Sequence, residues 1–175
     1  MNRRDDHGLQ QLMLADDGLF PNNPVLPLLL YSGVLLPFGE DPAAEVEARF
    51  AENGWPPAWR NGVFDFHHYH SEAHEALGVY GGSAKVQFGG PGGPVIDIKA
   101  GDVAVLPAGT AHRLIEASRD FAVVGAYPSG QHPDMCYGKP GELPGAVKRI
   151  ALVPMPKTDP VLGRDGGIVS IWRVR

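Results

Sequence analysis

At 175 residues the chain has the size of one domain, on the usual scale of roughly 100–200 residues per domain, and its 43% hydrophobic and 20% charged residues are those of a globular protein. A formal net charge of −5 supplies no positive field for phosphate backbones or anionic lipid, so nucleic acid is not an expected partner. The 23 glycines and 17 prolines favour many short strands joined by tight turns over long helices, which gives an all-β expectation.

Residues 1–24 read as a lead-in. MNRRDDHGLQ turns acidic directly after its two arginines and holds no apolar segment, unlike a secretory leader, and FPNNP makes a turn-rich corner. LPLLLY (26–31) reads as a buried strand. The apolar stretch around it, VLPLLLYSGVLLPF, has 14 residues and two prolines, too short and broken for a bilayer span of roughly 20 residues. DPAAEVEARFAENGW (41–55) predicts a helix with Asp41 as N-cap, Pro42 in the first turn, Val46 and Phe50 on one face and Gly54 as the stop.

From residue 62 the pattern becomes strand, turn, strand. VFDFHHYH (63–70) alternates, which sets Phe64, Phe66, His68 and His70 on one face and Val63, Asp65, His67 and Tyr69 on the other. Further strands are expected in EALGVY (75–80), AKVQF (84–88), VIDIK (95–99), VAVLP (103–107), AGTAHRLI (108–115) and FAVVGAY (121–127), a spacing that predicts a sandwich or barrel. Beyond 128, AVKRIALV fits a short helix or a strand and IVSIWRV (168–174) reads as a last strand. The single cysteine, Cys136, allows no internal disulfide and suits a reducing compartment, so a cytoplasmic location is expected.

Chemistry concentrates in FHHYHSEAHE (66–75). His68 and His70 are two apart on one strand face, and Glu75, after a four-residue gap, opens the neighbouring strand toward the same point. His112, after GDVAVLPAGTA, is the candidate fourth ligand. Three imidazoles and a carboxylate suit one divalent transition-metal ion (Fe, Mn, Ni, Cu or Zn) with positions open for water or a small-molecule substrate. The alternative is a set of polar residues lining a pocket without metal. Strand parity turns His67 away from the site, Glu72 falls in a solvated loop, and His74 sits beside Glu75 as a neighbour of the ligands or a rim residue. Phe64, Phe66, Leu77 and Val79 share the inward parity, as barrel core or as walls of an apolar substrate cavity. Tyr127, Gln131, Asp134, Cys136 and Tyr137 form a lid, a polar rim or a plain loop.

The spacings G62-x5-H68-x-H70-x4-E75-x6-G82 and G101-x5-P107-x-G109-x2-H112 resemble the two motifs of the cupin superfamily. The wider chain is similar to a bacterial branch of single-domain cupins from which no activity carries over. The resemblance implies an all-β double-stranded β-helix, the RmlC-like jelly-roll barrel, with His68, His70, Glu75 and His112 on the metal-ligand positions. Residues 1–60 would then form an N-terminal helical and loop extension packed on the barrel, with one strand and one helix, 61–127 the barrel core with both motifs, and 128–175 an extension that completes or covers it. Glu116 stands where the family often has asparagine. Three functions are compatible: a metal-dependent enzyme of oxygenase or isomerase/lyase type, a non-catalytic binding or sensing module, and a metal-free epimerase-like cupin. A homodimer is expected, with the proline-rich arms 21–38 and 150–160 covering sheet edges.

Overall fold

Short aliphatic and β-branched runs punctuated by glycine and proline fold as antiparallel strands. The computed structural model describes residues 8–174; the N-terminal MNRRDDH, expected to carry no leader, lies outside them. In chain order the strands are β1 (Leu9–Leu12), β2 (Leu28–Tyr31), β3 (Pro57–Asn61), β4 (Glu75–Gly81), β5 (Ser83–Phe88), β6 (Val95–Lys99), β7 (Val103–Leu106), β8 (His112–Ala117) and β9 (Ala122–Ala126). The helices are α1 (Pro42–Glu52), α2 (Leu143–Leu152) and the single turn α3 (Gly167–Ser170), followed by a 3-10 turn over Trp172–Val174. One sheet has the order β1-β2-β7-β4-β9-β3 and the other β6-β5-β8. Two antiparallel sheets in this order form the jelly-roll barrel that the motif spacing leads one to expect.

Two apolar layers explain the strand sequences. Leu28, Leu30, Leu77, Val79, Ala104 and Val123 of the larger sheet meet Ala84, Val86, Phe88 and Ile98 of the smaller one inside the barrel. The opposite face of the larger sheet packs Leu29, Tyr31, Ala76, Val105 and Val124 under α1 and the C-terminal segment. With both faces covered, β2 and β7 are buried at every residue and read as unbroken apolar runs. Helix α1 forms as expected: the Asp41 side chain accepts the Ala44 N–H, Pro42 opens the first turn, and Val46 and Phe50 are fully buried.

Four expectations need correction. Residues 63–70 are not a continuous strand; they meet β8 at the His68–His112 bridge and the Leu114 N–H bond to Phe64 O, and the loop at Cys136 through a bridge from Tyr69. IVSIWRV is α3 and a 3-10 turn: strand propensity yields to burial of Ile168 and Trp172 against the outer face, where Trp172 Nε1 donates to Pro27 O at 2.9 Å. AGTAHRLI becomes a strand only from His112, where β8 begins, because the Gly109 turn precedes it, while AVKRIALV takes the helical of its two expected readings, in α2. The N-terminal part adds two strands to the expected one, which forms as β2 at 28–31: β1 within the lead-in and β3 beyond α1. β1 joins β2, and β3 lies on the sheet edge, the one place where its leading proline costs no ladder bond.

The C-terminal segment is held by a buried carboxylate. Asp159 Oδ1 accepts the N–H groups of Val161 (2.9 Å) and Leu162 (3.1 Å), and Oδ2 accepts the Tyr31 hydroxyl (2.6 Å) and the Ile168 N–H (3.2 Å). The Tyr31 oxygen in turn accepts the Gly167 N–H. Burial, together with this carboxylate, raises the Tyr31 pKa well above the ordinary phenol range, so the hydroxyl stays a donor.

Candidate metal centre

The barrel brings the three histidines of the two motifs together. His68 and His112 face each other across the bridge, with His112 N–H to His68 O at 3.0 Å, and their rings are 4.1 Å apart. His70 is fixed from behind by the Gly109 N–H, which donates to its carbonyl at 2.8 Å. Gly109 has φ +95°, and a Cβ there would strike the Asn22 carbonyl, so the motif glycine serves this turn. Ligand atoms of His68, His70 and His112 lie within 4.8 Å of one another, and all three residues are buried. These imidazoles could hold one metal ion.

Each Nδ1 is committed to a backbone carbonyl: His68 to Phe66 O (3.0 Å), His112 to Thr110 O (3.1 Å) and His70 to Asp134 O. A carbonyl only accepts, so each Nδ1 carries a proton, and each Nε2 presents a lone pair once its ring is neutral. Glu75 Oε2 stands 3.3 Å from His112 Nε2 and 3.5 Å from His70 Nε2 and has no hydrogen-bond donor. Converging acceptors buried without a donor are costly, and a proton on His70 or a metal cation in its place relieves that cost. The three imidazoles therefore fit a transition-metal ion, with the Glu75 carboxylate beside two of them.

Electrostatics agree with a site that exchanges a proton for a metal. Burial disfavours a charged His70, but the Glu75 carboxylate beside it prevails and raises its pKa to about 9. Burial and the neighbouring His112 push His68 down to about 3. Burial opposes ionisation of Glu75, yet His70 and His112 hold its carboxyl well below the usual range.

The cluster opens into a cavity of about 180 Å³ walled by Trp59, Val63, Phe64, Leu77, Tyr127 and Met135. Leu77 is buried inside the barrel. Phe64 and Phe66 are not barrel core, which corrects that reading: they are 49% and 40% exposed and stack at 4.9 Å at the mouth, with Tyr137 6.0 Å beyond. Tyr127 donates to Glu75 Oε1 (3.2 Å) and accepts Trp59 Nε1–H (2.9 Å), while burial, then Glu75, raises its pKa and keeps it protonated. Sequence reasoning missed Trp59, whose place on β3 was hidden by Pro56 and Pro57. Its ring lies over Gly125 of β9, where any Cβ would collide with it.

Two expected neighbours lie elsewhere. On β4, Glu75, Leu77 and Val79 face the interior, and one residue earlier His74 faces the outer layer, packed 5.1 Å from Trp172. Its Nδ1 accepts the Ala108 N–H at 2.9 Å, and burial lowers its pKa to about 4. Gln131 accepts the His74 N–H and donates to Pro154 O, away from the cavity walls. The parity that set His67 apart from His68 also applies to His74 and Glu75. His67 is half-buried, 5.3 Å from Phe20, and Glu72 is exposed. Glu116, on the position often held by asparagine, pairs with Lys85 at the surface.

Asp134 secures the loop behind His70. Its carboxylate accepts the Ser71 N–H (2.6 Å), the Glu72 N–H (3.1 Å) and the Ser71 hydroxyl, and Arg149 Nε donates to Ser71 Oγ at 2.7 Å. Cys136 is free and buried in this cluster, and burial raises its pKa, so it acts as packing and not as a nucleophile.

No family model matches the chain. It is 40% identical over 163 residues to the Uncharacterized protein YjlB of Bacillus subtilis (strain 168), covering 93% of this chain and 96% of that one. Among solved structures it is similar to a DUF861 family protein from Thermotoga maritima, with 22% identity, 41% of this chain and 75% of that chain covered, and a TM-score of 0.32. It is also similar to the capsular polysaccharide assembling protein CapF from Staphylococcus aureus (12% identity, 78% and 31% covered, TM-score 0.32). A third is Streptomyces albus HEPD with 2-hydroxyethylphosphonate and Fe(II) bound (16% identity, 91% and 25% covered, TM-score 0.28).

Proposed function

We infer that this chain, which belongs to the same family as YjlB of Bacillus subtilis, is a mononuclear metal-dependent cupin enzyme acting on a small molecule. The observation that carries this reading is the convergence of three Nδ1-anchored imidazoles and an unpartnered Glu75 oxygen at the floor of a cavity. A bound Fe, Mn, Ni, Zn or Cu ion supplies Lewis acidity and, for the redox-active metals, electron transfer. The chain's own residues set the rest. His68, His70 and His112 hold the ion, Glu75 completes the set, and Tyr127 fixes the carboxylate through Oε1. Trp59, Val63, Leu77 and Met135 keep water from the cavity walls.

The test is turnover. Protein loaded with each metal in turn is screened for O₂ uptake with catechols, thiols and diketones, and for product formation with sugars. Turnover in one class identifies the chemistry. Thermal stabilisation by a compound with no turnover across the whole panel makes the protein a binding module instead.

Homodimer formation belongs to the same reading. It is supported by Leu36 and Phe38, 74% and 71% exposed in the N-terminal arm. Sedimentation at micromolar concentration is expected to give a dimer, and Phe38→Ser to shift it toward monomer; a monomeric parent chain overturns it. No helix among the described residues is long and apolar enough to cross a membrane.

A further inference from the structure

We propose that the substrate of this centre is a small molecule whose donor atoms face the histidines and whose remaining portion carries no charge. The inference rests on the metal-centre reading and concerns what the cavity admits beyond the ion.

The walls decide it. Trp59, Val63, Phe64, Leu77 and Met135 are apolar, and Asn61 and Tyr127 are the neutral polar lining residues. No lysine or arginine lines the cavity among the described residues. Beside the aromatic mouth, Lys139 lies over the Tyr137 ring at 4.9 Å. A divalent ion beside the Glu75 carboxylate leaves one net positive charge, which a singly deprotonated donor group neutralises. Any further anionic group enters an apolar cavity with no partner and loses its hydration.

Size and shape narrow the class. The volume of about 180 Å³ compares with the ~150 Å³ that accommodates benzene in an engineered apolar cavity. Trp59 and Phe64, the latter stacked on Phe66 at 4.9 Å, line the cavity with aromatic surface. A planar body of about one ring therefore fits, and phosphorylated, dicarboxylic or nucleotide substrates do not.

Two probes of equal size separate the possibilities. Co(II)-loaded protein is titrated with 3,4-dihydroxybenzamide and with 3,4-dihydroxybenzoate, following the visible cobalt spectrum; the donor set is the same and the distal charge differs. The amide is expected to bind at least about tenfold more tightly. Met135→Lys, at a position 39% exposed and outside the ligand set, is expected to abolish that preference by giving the carboxylate a partner. Equal or tighter binding of the benzoate by the unsubstituted protein overturns the proposal, as does a cobalt spectrum that neither probe perturbs; in both cases the metal centre stands. A protein that takes up no Co(II) overturns the metal reading itself, and the substrate class with it.

Discussion

His112→Ala holds less than about a tenth of the metal that the parent chain binds, and its affinity falls at least about 100-fold. The reason is geometric. His112 is bridged to His68 through both backbone bonds, and its ring is the one nearest both His68 and Glu75. Its loss removes a nitrogen donor and opens a gap between the two motifs. Glu75→Gln, which keeps an oxygen acceptor of the same shape, loses less. In the parent chain the affinity depends on pH with a defined sign. His70 is charged below about 9, and a cation cannot bind a protonated imidazole, so affinity rises with pH by up to about tenfold per unit below that value. Competition titrations with a chelator between pH 6.5 and 8.5 measure both effects. Unchanged affinity in His112→Ala removes the assigned ligand set.

Asp159→Asn destabilises the chain by about 3 kcal/mol, read as a lower urea midpoint with an unchanged slope. All four donors around Asp159 point at carboxylate oxygens. An asparagine satisfies two through its oxygen and turns its NH₂ group toward the Ile168 N–H and the Tyr31 hydroxyl, which already accepts from Gly167. Buried donors facing donors are the costly case. For a chain of this size the loss corresponds to a melting temperature lower by roughly 6–12 °C. Tyr31→Phe leaves three of the four bonds and costs less. An Asp159→Asn protein as stable as the parent chain would show that the C-terminal segment is held by apolar packing alone.

The barrel strands from β4 to β9 follow from local pattern, because each is a short apolar or alternating run closed by glycine, proline or asparagine-like turns. Helix α1 follows from Asp41, Pro42 and the Val46–Phe50 spacing for the same reason. Local pattern also picks out the motif residues, since His-x-His on an extended segment and a histidine after a Gly-x-Pro-x-Gly-type turn are short-range features. It fails at IVSIWRV, where strand propensity competes with a buried tryptophan, and at β3, where prolines conceal an edge strand.

By itself, the sequence determines which side chains can serve as ligands and that the chain is a small β-domain. Tertiary structure decides their company. It sets Phe64 and Phe66 at an open mouth, turns His74 into the outer layer, and brings Trp59 from the far edge strand onto Gly125 and Tyr127. Parity along one strand is local, whereas which strand crosses behind it, and which loop carbonyl meets each Nδ1, depends on contacts between residues tens of positions apart that no local pattern encodes.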